Sequence, residues 1–274
     1  MSNASNASLG TAVVTGASSG IGAIYADRLA RRGYDLVLVA RSAERLHALA
    51  ERLKATHGRT VRTIAADLTQ DADLARVEDL LRNDAGITLL VNNAGVGGAG
   101  PLLDSDIGKM QDMIALNVTA PTRLAYAAAP GFVARGRGAF INIASIVAIA
   151  PEVLNGVYGG SKAYVLAFSQ SLRHELGARG VRVQAVLPGA TATDFWQTAG
   201  VPLAHLPQEI VMRADDMVDA ALAGFDRGEF ATIPALEDGA KWDAYEAARV
   251  AMHPELSGTK PASRYGIVPA ARAA

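Results

Sequence analysis

The chain contains no cysteine, which removes disulfides, thiolate metal ligands and a cysteine nucleophile together. Its five histidines, His47, His57, His174, His205 and His253, show no paired spacing of the H-E-x-x-H kind, so the sequence marks no metal site. An excess of either charge is also missing. Against 27 acidic residues stand 26 Lys and Arg, a formal net charge of −1, which leaves no global field to hold a nucleic-acid backbone or an anionic membrane. Any anion site must be local. The longest apolar tract, residues 139–150, is shorter than the roughly 20 residues a bilayer span needs and contains Asn142 and Ser145. Residues 1–9, rich in Ser, Asn and Ala, have neither the basic nor the apolar region of a signal or transit peptide, and are expected to form a flexible tail. The glycosylation patterns at Asn3 and Asn6 are therefore read as accidental. The expectation is a cytoplasmic protein with no membrane and no nucleic-acid partner.

Half of the 274 residues are hydrophobic and 19% are charged, a composition that folds rather than one that stays disordered. A single domain of this length buries on the order of 75% of its unfolded surface. Short apolar runs at 11–15, 35–40, 61–65, 87–91, 139–144, 181–187 and 230–234 alternate with segments of helical period at 20–32, 43–57, 74–85, 107–129, 157–179 and 215–227. The last of these helices is expected to start behind an Asp at its cap. Runs that are continuous rather than alternating fit strands covered on both faces. The pattern predicts an α/β fold, doubly wound and Rossmann-like, with a seven-stranded, mainly parallel sheet and helices on both faces. No linker, charge block or repeat interrupts it, so residues 1–274 are read as one domain. Two stretches depart from the alternation. Residues 189–214, with Phe195, Trp196, Leu203, Leu206 and Ile210, suit an apolar lid over a ligand, with ordinary loop packing as the competing reading. Residues 238–274 begin with an amphipathic helix through Met252 and read as a packing or subunit-contact extension.

Thr15-Gly16-Ala17-Ser18-Ser19-Gly20-Ile21-Gly22 lies between the first strand and the first helix. Gly16 suits the sharp turn, Gly20 lets the backbone approach a pyrophosphate, and Gly22 permits close packing. The helix N-terminus adds unpaired N–H groups and partial positive charge. The spacing is G-x-x-x-G-x-G, not the general G-x-G-x-x-G.

That turn, Asn92-Asn93-Ala94-Gly95 and Tyr158-Gly159-Gly160-Ser161-Lys162, in this order, resemble the short-chain dehydrogenase/reductase family in its short single-domain form. Asn117, Ser145 and Pro188-Gly189 also fall where that family's pattern expects them, and the likeness covers residues 11–234. The end of the second strand, Leu38-Val39-Ala40-Arg41-Ser42, has no acid to bond the free ribose of NAD, whereas Arg41 can grip the 2′-phosphate of NADP. NADP(H) is therefore expected in preference to NAD(H), helped by Ser18 and Ser19 with Arg45 in reserve; a solvated residue at a helix start is the competing reading of Arg41. The resemblance further implies adenine contacts from Asp67 and Leu68, a cleft lining of Asn93, Ala94 and Gly95, and cofactor contacts from Ile21, Pro188, Gly189, Thr191 and Thr193. Capping of the next helix by Asp67 or Thr69 competes, as does a purely structural Asn92.

Tyr158 and Lys162 stand at i and i+4 on one helix face. An ammonium nearby would bring a phenol with an ordinary pKa of about 10 toward neutrality, and Tyr158 would then serve as general acid in reduction and base in oxidation. The resemblance adds that Lys162 bonds the nicotinamide ribose and that Asn117 holds a water relaying protons to it; a satisfied core amide is the alternative for Asn117. Ser145, at the carboxyl end of its strand, opens into the ligand crevice and can orient a substrate oxygen. Asn142 is deeper and reads as structural. No G-x-S-x-G elbow surrounds Ser145, so His174 is assigned to a solvent or subunit face.

The expected substrate is a small, uncharged, partly apolar carbonyl or secondary alcohol, because Ile146, Val147, Ile149, Val153, Leu154, Phe195 and Trp196 bring no fixed charge to the pocket. Reduction of a 3-oxoacyl group on a carrier protein is one alternative, for which Arg123, Arg135 and Arg137 are too scattered to decide. A non-catalytic NADP(H)-sensing protein is the other. The resemblance also implies a homo-oligomer, dimer or tetramer, formed through helix 157–179 and the C-terminal segment.

Overall fold

The structure, a computed structural model, describes residues 9–267. The expected flexible tail, apart from Leu9, and residues 268–274 of the C-terminal extension lie outside them. The chain divides after Ala235 into two compact units.

The first unit is built on a parallel sheet in the order β3-β2-β1-β4-β5-β6-β9. Its strands are β1 (Thr11–Thr15), β2 (Asp35–Ala40), β3 (Val61–Ala65), β4 (Ile87–Asn92), β5 (Gly138–Ile143), β6 (Val181–Val186) and β9 (Ala231–Thr232), and all the pairings are parallel. The seven expected strands are present, the last shortened to two residues. Alternation within the strands divides the core. Ala12, Val14, Leu36, Leu38, Leu89, Val91, Ile141 and Ile143 pack on one side with α1 (Gly20–Arg31), α2 (Ala43–His57) and α8 (Ala214–Asp226). The intervening residues face α3 (Asp71–Asn83), α5 (Ala120–Ala134) and α6 (Gly156–Leu176). Each fully buried Leu or Val contributes about 1.5–3 kcal/mol relative to exposure. Coverage is not complete at the edge, where β3 exposes Arg62, Thr63 and Ala65.

Three segments depart from expectation. The segment expected as one helix over 107–129 is α4 (Ile107–Ile114), a π turn over Ala115–Thr119, and then α5. The π turn places Asn117 where its amide bonds the backbone of Val96. The first residue of α8 is Ala214 and its N-cap is Arg213, so no Asp caps it; Asp215 and Asp216 lie in the first turn, where their charge suits the helix dipole. The stretch 189–214 contains β7 (Thr191–Ala192) and β8 (Met212–Arg213), paired in parallel, and the single turn α7 (Phe195–Thr198).

The second unit contains α9 (Ala240–Ala251), which buries none of its residues. Among the described residues, no helix is long and apolar enough to cross a membrane.

Candidate active site

The strand order reverses between β1 and β4, and open sheets of this kind bind ligands outside the carboxyl ends of the strands at such a point. A cleft of about 820 Å³ opens there. The chain leaves β1 through Gly16, whose φ of 65° is left-handed and whose Cβ, if present, would stand 2.9 Å from Ala94 Cα. At Gly22 a Cβ would lie 2.3 Å from the Gly16 carbonyl oxygen, so this glycine lets α1 close onto the turn. Asn93 Nδ2 donates to the carbonyls of Thr15 at 2.8 Å and Gly16 at 3.2 Å, while Thr15 Oγ1 accepts from the N–H groups of Asn93 and Ala94 at 3.0 Å. These bonds lock the loop after β4 onto the turn after β1. Ser19 is the N-cap of α1, but its side chain caps nothing and the first turn holds no acid. Ser42, by contrast, caps α2 by accepting from Arg45 N at 3.3 Å. With Ser18, Ser19, Gly20, Ile21 and Gly22 lining the cleft, the positive end of α1 faces it without a competing side chain.

At the outer end of the cleft, Arg41 is exposed and forms no ion pair with a described residue. Arg45 lies beside it on the same wall. Asp67 and Leu68 line the cleft as well. Asp67 Oδ1 accepts from the Thr69 N–H at 3.0 Å and hydroxyl at 2.8 Å, so it shapes its own turn. The N-cap of α3 is Gln70, which excludes Asp67 and Thr69 as its caps. Asn92 is on the structural side of its two readings: its amide donates to Asn142 Oδ1 at 2.9 Å, and Asn142 donates to Ser169 Oγ at 2.9 Å, a buried chain through the sheet.

Tyr158 and Lys162 come together on α6, both 6% exposed, with the Lys162 ammonium 5.8 Å from the centre of the Tyr158 ring. Ser145, just beyond β5, stands beside the Tyr158 phenol, where it acts to lower the phenol's pKa; its hydroxyl donates to Pro188 O at 3.3 Å and accepts from Val147 N at 3.4 Å. Lys162 Nζ donates to Ile143 O at 2.9 Å. Burial pushes Tyr158 up to about 12 against the pull of Ser145, and burial pulls Lys162 down to about 8. The expected lowering of Tyr158 by Lys162 is therefore not realised in this arrangement. Desolvation of the buried phenol dominates its shift, and the ammonium's hydrogen bond goes to the Ile143 carbonyl. The phenol keeps its proton at neutral pH, as a proton donor must.

Asn117 stands behind the cleft wall rather than on it. Its Oδ1 accepts from Val96 N at 3.0 Å, and its Nδ2 donates to Val96 O at 2.8 Å and to Ser161 Oγ at 3.1 Å. Gly95 separates it from Lys162, since a Cβ there would lie 3.1 Å from Asn117 Oδ1 and 3.4 Å from Lys162 Nζ.

The remaining expected residues, Pro188, Gly189, Thr191 and Thr193, line the cleft with the 189–214 segment. Of the apolar set, Ile146, Val147, Val153, Leu154, Phe195 and Trp196 line it, joined by Leu206 and Ile210, whereas Ile149 does not. Asp194 adds a charge that the sequence reading did not anticipate. Also missed was Asn155, the N-cap of α6. Its Oδ1 accepts from Val157 N at 2.9 Å, and its Nδ2 donates to Gly100 O at 2.7 Å and Ser105 Oγ at 3.1 Å. An Asn directly before a helical run is a capping signal in any sequence, and here it pins the loop near residue 100 to the helix bearing Tyr158. His174 is exposed. Among the described residues, no three His, Asp or Glu are grouped to hold a metal ion.

A family model described as short chain dehydrogenase matches residues 10–201. A very-long-chain 3-oxoacyl-CoA reductase of Danio rerio is 36% identical over 188 residues, covering 67% of this chain; the match spans only 59% of that relative's length. A short-chain dehydrogenase from Sphingobium yanoikuyae, solved in complex with NADPH, is 51% identical with a TM-score of 0.91, covering 94% of this chain and all of that one. An alcohol dehydrogenase from Comamonas testosteroni, described as specific for bulky-bulky ketones, is 46% identical with a TM-score of 0.85, covering 94% of this chain and 98% of that one.

Proposed function

The chain belongs to the short-chain dehydrogenase family, and from that premise we propose that it is an NADP(H)-dependent oxidoreductase interconverting a carbonyl and a secondary alcohol. The observation that carries this reading is that Ser145, Tyr158 and Lys162 line one end of a cleft whose other end holds an uncapped helix N-terminus and the Arg41 guanidinium, which has no ion-pair partner among the described residues. Those donors suit a phosphorylated dinucleotide. When bound, that cofactor supplies or takes the hydride. Gly16, Gly20 and the first turn of α1 hold its phosphates, with Ser18 and Ser19 adding hydroxyls. Arg41, which has no ion-pair partner among the described residues, favours NADP(H) over NAD(H), and the NADPH in the Sphingobium neighbour supports that preference.

In reduction, Ser145 and Tyr158 bind the carbonyl oxygen, and the Tyr158 hydroxyl proton passes to it. In oxidation the proton returns to the phenolate. Lys162 holds positive charge beside the phenol as the proton leaves, and Asn117 steadies Val96 and Ser161 around both. The apolar lining favours an uncharged ketone or secondary alcohol, in keeping with the ketones named for the Comamonas neighbour. Reduction of a 3-oxoacyl thioester is a second reading, favoured by the Danio relative. The carrier-protein form of it loses support because Arg123 is bound to Glu78 and Asp71, and Arg135 to Ile87 O. We also propose the homo-oligomer and the cytoplasmic location expected above. In the second unit, Tyr245, Val250, Met252, Leu256, Tyr265 and Ile267 are exposed, and a second copy of the chain would cover such apolar surface.

NADPH and NADH titrations followed by a ketone panel test this reading with wild type and Tyr158→Phe. Tighter NADPH binding is expected, unchanged in the variant, with turnover reduced about 10²–10⁴-fold by loss of the acid. Binding without turnover of any substrate by wild type would favour the sensor instead.

A further inference from the structure

Phe195, on α7, packs directly on the acid–base group. Its ring centre is 5.7 Å from that of Tyr158, tilted by 47°. It also meets Trp196 edge-on at 5.6 Å, and Trp196 is itself fixed, being buried with its indole N–H donating to Thr191 O at 2.9 Å. The tip of the Phe195 ring fills the space left by a missing side chain. A Cβ on Gly97 would stand 2.2 Å from Cζ and 2.9 Å from both Cε1 and Cε2 of that ring. Gly97 is not among the glycines with positive φ, so its backbone makes no demand for glycine. The ring does.

We propose that Gly97 and Phe195 form a matched pair that limits the size of one substituent on the reacting carbonyl carbon. This rests on the ketone-reductase reading above. Ser145 and Tyr158, which line the cleft together, mark where the carbonyl oxygen is held, and the substituents on its carbon must then lie within reach of the Tyr158 ring. One of them meets the Phe195 face, a wall held by Trp196 on one contact and by the Gly97 notch on another. Ile146, Val147 and Leu154 line the same part of the cleft without charge. One methylene more or less in such an apolar pocket changes kcat/KM about 10–200-fold, so the position of one ring is enough to select among ketones.

The test is a series of phenyl ketones from methyl to pentyl, reduced with NADPH by wild type, Phe195→Ala, Gly97→Ala and the double variant. Phe195→Ala should raise kcat/KM for the pentyl relative to the methyl ketone at least about tenfold, with Phe195→Leu intermediate. Gly97→Ala, whose Cβ displaces the ring from its notch, should lower the same ratio. The double variant should behave as Phe195→Ala. Thermal unfolding without substrate gives an independent readout: Gly97→Ala should lower Tm when Phe195 is present and leave it unchanged in the Phe195→Ala background. A ratio unaltered in Phe195→Ala, or additive effects of the two changes on either measurement, overturns the pairing and leaves the reductase reading intact. A wild type that reduces no ketone of the series overturns that reading, and the pairing falls with it.

Discussion

Lys162 is an ammonium placed where burial opposes its charge, and stability should register the opposition. Its pKa in the fold, about 8, lies below the 10.5 of the unfolded chain. Between these pH values the unfolded state binds more protons, so stability rises with pH across that window; below pH 8 the full cost of the buried charge is present. That cost is about 3 kcal/mol, at about 1.4 kcal/mol per pKa unit. Tyr158 acts oppositely but only above pH 10, where its raised pKa retains a proton that the unfolded chain loses. Urea unfolding of wild type and Lys162→Met at pH 7 and pH 10 checks this. Wild type should gain about 2 kcal/mol on the variant over the interval, and an unchanged difference would refute the buried charge. At this scale the sequence was legible in identity and spacing: the i and i+4 placement of Tyr158 and Lys162 and the Gly-rich turn were all readable. The sign of the Tyr158 shift was not, because desolvation depends on walls contributed by Val147, Met113 and Phe195, which lie apart in the chain.

Helix α6, which carries Tyr158 and Lys162, begins with a cap that does two things. Asn155 satisfies the N–H groups of the first turn and ties down the carbonyl of Gly100 and the hydroxyl of Ser105. Asn155→Ala should cost about 1–2 kcal/mol, an N-cap loss together with the amide's bonds to Gly100 O and Ser105 Oγ. Because α6 carries Tyr158 and Lys162 while the turn proposed to hold the cofactor phosphates follows β1, kcat should fall with little change in NADPH affinity. Asn155→Asp, which keeps the accepting oxygen, should recover part of the stability. Denaturation curves with steady-state kinetics measure both. The π turn before α5 shows what local pattern cannot carry. Ala115 to Thr119 read as ordinary helix, and only the two bonds between Asn117 and Val96, 21 residues away, account for the extra residue in the turn.

For the whole molecule, the order of strands brings together groups far apart in sequence. The turn at Gly16, the loop at Asn93, Ser145 and the Tyr158 helix meet because β1, β4 and β5 are neighbours. The exposed apolar residues of the second unit belong to the same scale. Sedimentation at micromolar concentration should detect a species heavier than the 28.4 kDa monomer, and a chain ending after Ala235 should shift toward monomer; a monomeric wild type would remove the proposed self-association. The sequence by itself determined the α/β alternation, the parallel sheet, the Gly-rich turn after β1 and the pairing of Tyr158 with Lys162 on one helix, because periodicity and glycine placement act over a few neighbouring residues. The tertiary structure alone decided the direction in which the Tyr158 and Lys162 pKa values move, the π turn at Asn117 and the seating of Phe195 against Gly97. Each of these depends on burial or on contacts between segments that only the folded sheet brings within a few ångströms.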